Sequence, residues 1–221
     1  MDFTRRVTAL FPTGVVAADV RGKVTSECLL EAERKQVVRA AEKRIQDFSA
    51  GRHCARAAMS VLGYPKTPLL RDSFGAPLWP TGLTGSISHT DDYCVAVVGQ
   101  TRHFRGLGVD AERIGRMPPS VWPLAFRSEE IAFLSTLDAT TQARVATEMF
   151  TAKEAWYKCQ YAITHRRLAF RDVQTNLTDG AFHLVLCNQV GSGLAIVRAR
   201  SGRFVQDEDL VVSGVAIPLD T

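Results

Sequence analysis

Apolar positions change their spacing along this chain, and the changes divide it into elements. Residues 15–20 form a short apolar run behind a Pro-Gly turn and predict a strand. Between Cys28 and Ala50, Leu30, Val37, Ala41, Ile45 and Phe48 recur at an approximately helical interval. Ser49 is placed to cap a second helix over 50–62, which Gly63 ends and Pro65 follows. The Pro- and Gly-rich stretch 65–84 predicts an ordered loop with short strands.

Beyond it, Ser86-Ile87-Ser88-His89 leads into Cys94-Val95-Ala96-Val97-Val98, a buried strand by its unbroken apolar run. Residues 107–112 predict another strand and 113–123 a loop. Ser128 is expected to cap a helix over 129–137 with Glu130 in its first turn, and 143–161 reads as a long helix. The remainder alternates at 182–186, 193–200 and 210–217, which predicts strands of a mostly antiparallel sheet. No internal repeat, low-complexity segment or linker interrupts the pattern.

Composition narrows the function classes. The chain has 221 residues, 46% hydrophobic and 23% charged, which excludes a disordered or collagen-like chain. No apolar run approaches the length of a membrane span. The net charge of +4 is too small to mark a nucleic-acid binder, although the basic residues are mostly Arg, the better residue for two-pronged phosphate contacts. Five scattered cysteines, Cys28, Cys54, Cys94, Cys159 and Cys187, form no CxxC pair and read as reduced thiols. Thr4-Arg5-Arg6-Val7 faintly mimics a twin-arginine signal, but Pro12, Gly14 and Asp19 break the apolar stretch behind it, so a cytoplasmic address is expected.

Candidate chemistry begins at Gly108-Val109-Asp110-Ala111-Glu112. Strand alternation turns Leu107, Val109 and Ala111 one way, and Asp110 and Glu112 the other. Two neighbouring carboxylates repel, and a cation relieves the repulsion. In Phe150-Thr151-Ala152-Lys153-Glu154-Ala155-Trp156-Tyr157-Lys158, helical spacing stacks Phe150, Glu154 and Lys158. Asp110, Glu112 and Glu154 together make a hard oxygen set suited to Mg²⁺, with Lys153 and Lys158 adding positive charge for a phosphate. Arg52 and Arg56 lie one helical turn apart, with Arg44 upstream and Arg71 beyond. Ser86, Ser88 and His89 add hydroxyls and an imidazole, and these groups together suit anionic phosphates.

With these residues in hand, the chain resembles the Sfp/EntD-type 4′-phosphopantetheinyl transferases. The resemblance rests on Phe48 through Arg56, Gly75-Ala76-Pro77 with Trp79-Pro80, Ser86 through His89, Gly108 through Glu112, and Phe150 through Lys158, in that order. The stretch Arg52-His53-Cys54-Ala55-Arg56 most resembles the actinobacterial enzymes of polyketide and nonribosomal peptide pathways.

The resemblance implies an α+β fold, a pseudo-dimer of two similar halves over 1–106 and 107–221 with coenzyme A in the cleft between them. It implies Asp110, Glu112 and Glu154 as Mg²⁺ ligands, Mn²⁺ being an alternative. Arg44, Arg52, Arg71, Ser88 and His89 become contacts to the 3′-phosphate and pyrophosphate. Lys153 and Lys158 fall near the pyrophosphate and pantetheine, and Arg56 reads as a helix-surface charge. The implied reaction moves 4′-phosphopantetheine from coenzyme A to a serine of an apo acyl or peptidyl carrier protein, releasing adenosine 3′,5′-bisphosphate. Catalysis would fall to Asp110, Glu154 and Lys158, with Glu154, or a metal-bound water that it orients, taking the serine proton. A monomer is expected, with neither nucleic acid nor membrane as partner. A Mg²⁺-dependent nuclease or another phosphoryl-transfer enzyme is the alternative. The loop after Glu112 has two readings: Arg113, Arg116, Arg127, Met117, Val121, Trp122 and Leu124 form a carrier-docking surface, or Trp122 and Leu124 belong to the core.

Overall fold

The computed structural model describes residues 2–187 and 201–219. Six helices are described, α1 (Phe3–Thr8), α2 (Glu31–Lys35), α3 (Glu42–Val61), α4 (Trp122–Ala125), α5 (Ser128–Leu134) and α6 (Ala139–Thr164). The strands are β1 (Val16–Arg21), β2 (Leu83–Thr90), β3 (Tyr93–Gln100), β4 (Phe104–Arg113), β5 (Val173–Thr178), β6 (Ala181–Leu186), β7 (Ser201–Asp207) and β8 (Leu210–Pro218). They form two antiparallel sheets, one ordered β1-β3-β2 and the other β4-β8-β7-β6-β5. Helix α3 packs on the smaller sheet and α6 on the larger. This is the α+β architecture expected.

The helical stripe 28–50 and the second helix 50–62 do not stand as two helices. A short 3₁₀ turn and α2 come first, the chain breaks from helix after Lys35, and α3 then runs unbroken through Ser49. Ser49 is no cap: its hydroxyl donates to the Ile45 carbonyl one turn back, at 2.7 Å. The break is held from outside, because Gln36 accepts from the Arg71 backbone N–H at 3.1 Å and its carbonyl accepts from the Arg71 guanidinium at 2.9 Å. Ser128 likewise begins α5 rather than capping it; Glu130 accepts from the Arg127 N–H at 2.8 Å. Strands β5 and β7 carry no strong apolar alternation and were not expected. The expected strand 193–200 lies outside the described residues for all of its length.

The two sheets meet along β2 and β4, each an edge strand of its own sheet. No backbone ladder joins them; side chains do. The Ser86 hydroxyl donates to the Val109 carbonyl at 3.5 Å, Ser88 to Asp110 at 2.7 Å and Thr90 to Glu112 at 3.1 Å. Every second residue of β2 thus meets β4, while Ile87 packs against Ala50, Cys54 and their neighbours. On the other face of β4, Leu107, Val109 and Ala111 are fully buried with Val95, Val97, Leu210 and Val212. Helix α1 joins this core through Val7, and Arg6 pairs with Asp207 at 3.1 Å.

Gly108 sets the distance from β4 to α6. A Cβ there would lie 1.8 Å from the Ala155 carbonyl oxygen, so only glycine lets the helix lie this close. That approach delivers Glu154 and Lys158 to the acidic face of β4.

Candidate active site

At its centre, Lys158 donates to Asp110 Oδ1 at 2.6 Å, to the Ser88 hydroxyl at 3.0 Å and to the Val109 carbonyl at 3.3 Å. Burial opposes charge on Lys158, but Asp110, Glu154 and Glu112 outweigh it and raise its pKa above the ordinary lysine value. The acids respond in the opposite sense. Burial and the charge of Asp110 push Glu112 up to about 7. Burial, with a smaller push from Asp110, also raises Glu154, against the pull of Lys158.

Asp110 is 4% exposed, and its second carboxylate oxygen, Oδ2, is buried without a hydrogen-bond partner. A buried anionic oxygen left unpaired is costly, and a cation is the direct remedy. The donor set is all oxygen, as a hard divalent ion requires. The residues therefore fit such an ion in chemistry. They differ from expectation in placement. Among the described residues no three acidic, histidine or cysteine side chains converge enough to hold a metal. The Lys158 ammonium stands among the carboxylates and neutralises part of their charge.

A second cluster lies on α3. The Arg52 guanidinium stacks on the Phe48 ring, 3.8 Å from its centroid, and its Nε donates to the Leu69 carbonyl at 2.9 Å. Arg52 Nη2 is buried and unpartnered. Burial, and then the nearby Arg71, Arg44 and Arg56 against the opposing pull of Glu33, bring Arg52 down to about 10. Arg71 approaches the same ring at 5.7 Å. Crowded guanidiniums with an idle N–H make an anion site, since a polyanion removes their repulsion. His89 links the two clusters: its Nδ1 lies 3.9 Å from Asp47, and it feels Lys158, Arg44 and Lys43. Burial, aided by those cations, lowers its pKa, so the free protein carries it neutral at pH 7.

Three expected residues stand otherwise. Lys153 is fully buried, and its ammonium donates to Glu130 at 2.6 Å and to the carbonyls of Ala125 and Phe170 at 3.0 and 3.2 Å. All three of its protons are engaged, which leaves none for coenzyme A. Ser88 is spent on Asp110 and Lys158, so it orders the acidic centre instead of offering a free hydroxyl. Arg56 is not a surface charge; it pairs with the wholly buried Glu33 at 2.7 Å. Glu33 also accepts from the Leu69 N–H at 2.8 Å, and the Leu69 carbonyl receives Arg52. This chain fixes the Arg52 guanidinium from behind. The sequence pattern gives Glu33 no role and reads Phe48 only as part of the apolar stripe and the Phe48–Arg56 motif, although Phe48 stands four residues before Arg52, the spacing of helix neighbours.

The loop after Glu112 divides. Met117 and Trp122 are 9% and 3% exposed, and the indole donates to the Met117 carbonyl at 2.8 Å. Leu124 is 75% exposed and does not belong to the core. Arg113 is drawn to Asp92 and Asp209, and Arg116 to Asp91.

A cavity of about 710 Å³ opens beside this centre, with Ser86, Glu154 and Lys158 in its wall. Its other walls include Phe74, Trp79, Tyr157, Tyr161, Leu168 and Phe170. Such a volume and mixed lining suit a small-molecule ligand.

Residues 32–99 match the family model of the 4′-phosphopantetheinyl transferase N-terminal domain, and residues 106–201 that of the 4′-phosphopantetheinyl transferase superfamily. The chain is 33% identical to the 4′-phosphopantetheinyl transferase Svp of Streptomyces mobaraensis, covering 86% of this chain and 78% of that one. The chain belongs to the 4′-phosphopantetheinyl transferase superfamily. The transferase is also similar to PptT of Mycobacterium tuberculosis, at 32% identity over 85% of this chain and 86% of the relative. With Npt of Nocardia iowensis it shares 29% identity over 95% of this chain and 99% of the relative. No helix among the described residues of the transferase is long and apolar enough to cross a membrane.

Proposed function

We propose that this protein, acting as a monomer in the cytoplasm, transfers 4′-phosphopantetheine from coenzyme A to a serine of acyl and peptidyl carrier proteins. The observation that carries the reading is the series of interacting charges from Arg52, Arg71 and Arg44, through His89, to Lys158 and its three acids. It matches a ligand with a phosphate at one end and a pyrophosphate at the other. We further assign 1–106 and 107–221 as the two halves that face each other across β2 and β4.

In this reading Arg44, Arg52, Arg71 and His89 take the 3′-phosphate, and Lys158 faces the pyrophosphate. The cavity beside Glu154 receives the pantetheine arm. Asp110, Glu112 and Glu154, which do not converge in the free protein, would have to draw together to hold Mg²⁺, or Mn²⁺ in its place; when bound, the ion neutralises charge on the pyrophosphate. The carrier serine hydroxyl attacks the β-phosphorus, the bond to the leaving oxygen breaks, and adenosine 3′,5′-bisphosphate departs. Glu154 accepts the serine proton; burial and Asp110 raise its pKa toward the working pH, as a general base requires. Lys158 compensates charge on the leaving group. The chemistry depends on positioning and charge rather than on a covalent enzyme intermediate. Incubation with Mg²⁺, coenzyme A and an apo carrier should add the mass of one phosphopantetheine arm to the carrier; no mass gain refutes the proposal.

Arg52→Ala should weaken coenzyme A binding by about ten- to a hundredfold, the worth of a charge-assisted hydrogen bond. Binding of 3′-dephospho-coenzyme A should change far less. An equal loss for both ligands, by calorimetry, would remove Arg52 from the 3′-phosphate. His89 adds a pH signature. Its pKa is depressed in the free protein, and a bound phosphate raises it, so binding takes up a proton. Affinity should therefore rise as pH falls from 8 toward 6.5, and His89→Gln should flatten that slope.

The loop after Glu112 gives separable outcomes. Arg116 is exposed, so Arg116→Glu should raise the KM for an acidic carrier and leave coenzyme A binding and Tm alone; added salt should mimic it. Met117 is in the core, so Met117→Ala should instead cost about 2–5 kcal/mol of stability with unchanged carrier kinetics.

A further inference from the structure

Residues 73–77 of the loop after Asp72 line the cavity, as do Tyr157, Lys158 and Tyr161 of α6 with Arg167, Leu168 and Phe170. The loop is held together internally. Asp72 Oδ1 accepts from the Phe74 and Ala76 N–H groups at 2.8 and 2.9 Å, the Asp72 N–H donates to the Ala76 carbonyl at 2.9 Å, and Gly75 turns at φ +91°. Arg71 and Pro77 bridge its base.

That arrangement leaves the second oxygen of Asp72 free to face outward. It accepts the Tyr161 hydroxyl at 3.0 Å, the one hydrogen bond from this loop to α6 among the described residues. Around it, Phe74 is 66% exposed and meets the Tyr161 ring edge-on at 6.3 Å. The Arg167 guanidinium lies 5.8 Å from the Phe74 ring centroid. Tyr161 stands three residues after Lys158, so both project from one face of α6. One part-buried hydrogen bond and two aromatic contacts thus join the loop to the α6 side of the cavity, all outside the packed cores.

We propose that Tyr161 and Asp72 are positioning residues for coenzyme A: their hydrogen bond holds the Asp72–Pro77 loop closed over the bound cofactor and parts for entry and product release. Arg71 at the base of the loop stays anchored to Gln36, so the part that moves is the tip that lines the cavity. A single part-buried bond outside the packed cores suits this task, because one net hydrogen bond is worth little and it forms again without repacking a core. The inference rests on the coenzyme A reading above.

The test is Tyr161→Phe, which removes one hydroxyl and keeps the ring against Phe74. Coenzyme A dissociation is followed by stopped-flow tryptophan fluorescence, with Trp79 in the cavity wall as reporter. The variant should release coenzyme A about two- to twelvefold faster, the range that one net hydrogen bond commands. KM for coenzyme A should rise while kcat holds or increases, and Tm should stay within about 2 °C of wild type. Adding Asp72→Asn should change dissociation no further, since its partner is already gone. An unchanged dissociation rate, or a lowered Tm with unchanged dissociation, would overturn the latch. Wild-type protein that neither binds coenzyme A nor modifies a carrier would instead overturn the reading on which it rests.

Discussion

Asp110→Ala is expected to reduce turnover by at least about a hundredfold while the chain remains folded. Asp110 is the hub of the acidic centre: it receives Ser88 and Lys158, raises the pKa of both Glu112 and Glu154, and holds one oxygen without a partner. Its loss frees the Lys158 ammonium and removes the only carboxylate that touches it at hydrogen-bond distance among the described residues. Single-turnover transfer to an apo carrier, run across a range of Mg²⁺ concentrations, measures the effect. The loss should deepen at low Mg²⁺, and near-wild-type rates there would show that Asp110 is not part of the reacting centre. Thermal unfolding separates this from misfolding, because the hydroxyl contacts of Thr90 and Ser86 still join β2 to β4.

Lys153→Met should produce the opposite pattern. The Lys153–Glu130 pair is 0% and 2% exposed, and Glu130 also accepts from the Arg127 and Thr175 backbone N–H groups. Removing the ammonium leaves a buried carboxylate with backbone donors alone, a loss of about 3–5 kcal/mol. For a chain of this size that is roughly 6–20 °C in Tm. The KM for coenzyme A, measured on the folded fraction well below Tm, should not move. A raised KM at unchanged Tm would return Lys153 to the cofactor site. Replacing Lys153 and Glu130 together by apolar residues of similar volume should recover much of the stability, since no charge is then stranded.

Lys153 and Lys158 show where sequence reasoning reaches its limit. Lys153 directly precedes Glu154 and Lys158 follows it by one helical turn, and spacing alone shows the partner of neither. Five residues on a helix correspond to well over one turn, which separates the two side chains by more than a quadrant. Only packing decides that Lys153 turns toward α4, α5 and Phe170 while Lys158 turns toward β4. The Met117 and Trp122 pair is similar: an apolar residue in a loop reads equally well as core or as docking surface until its neighbours are known.

Local pattern by itself determined the strands β1, β3, β4, β6 and β8, the extent of α6 to within a few residues, and the shared face of Asp110 and Glu112. Each follows from a period of two or 3.6 within a single element. The Gly108 approach, the meeting of β2 with β4, the Glu33–Leu69–Arg52 relay and the Asp72–Tyr161 bridge join residues 17 to 89 positions apart. Tertiary structure alone decided these, because nothing in a local period records which distant element will supply a buried group's partner. The break between α2 and α3 has the same cause. A helical stripe favoured continuation, and the hydrogen bonds of Gln36 with Arg71 outweighed a propensity worth only tenths of a kcal/mol per residue.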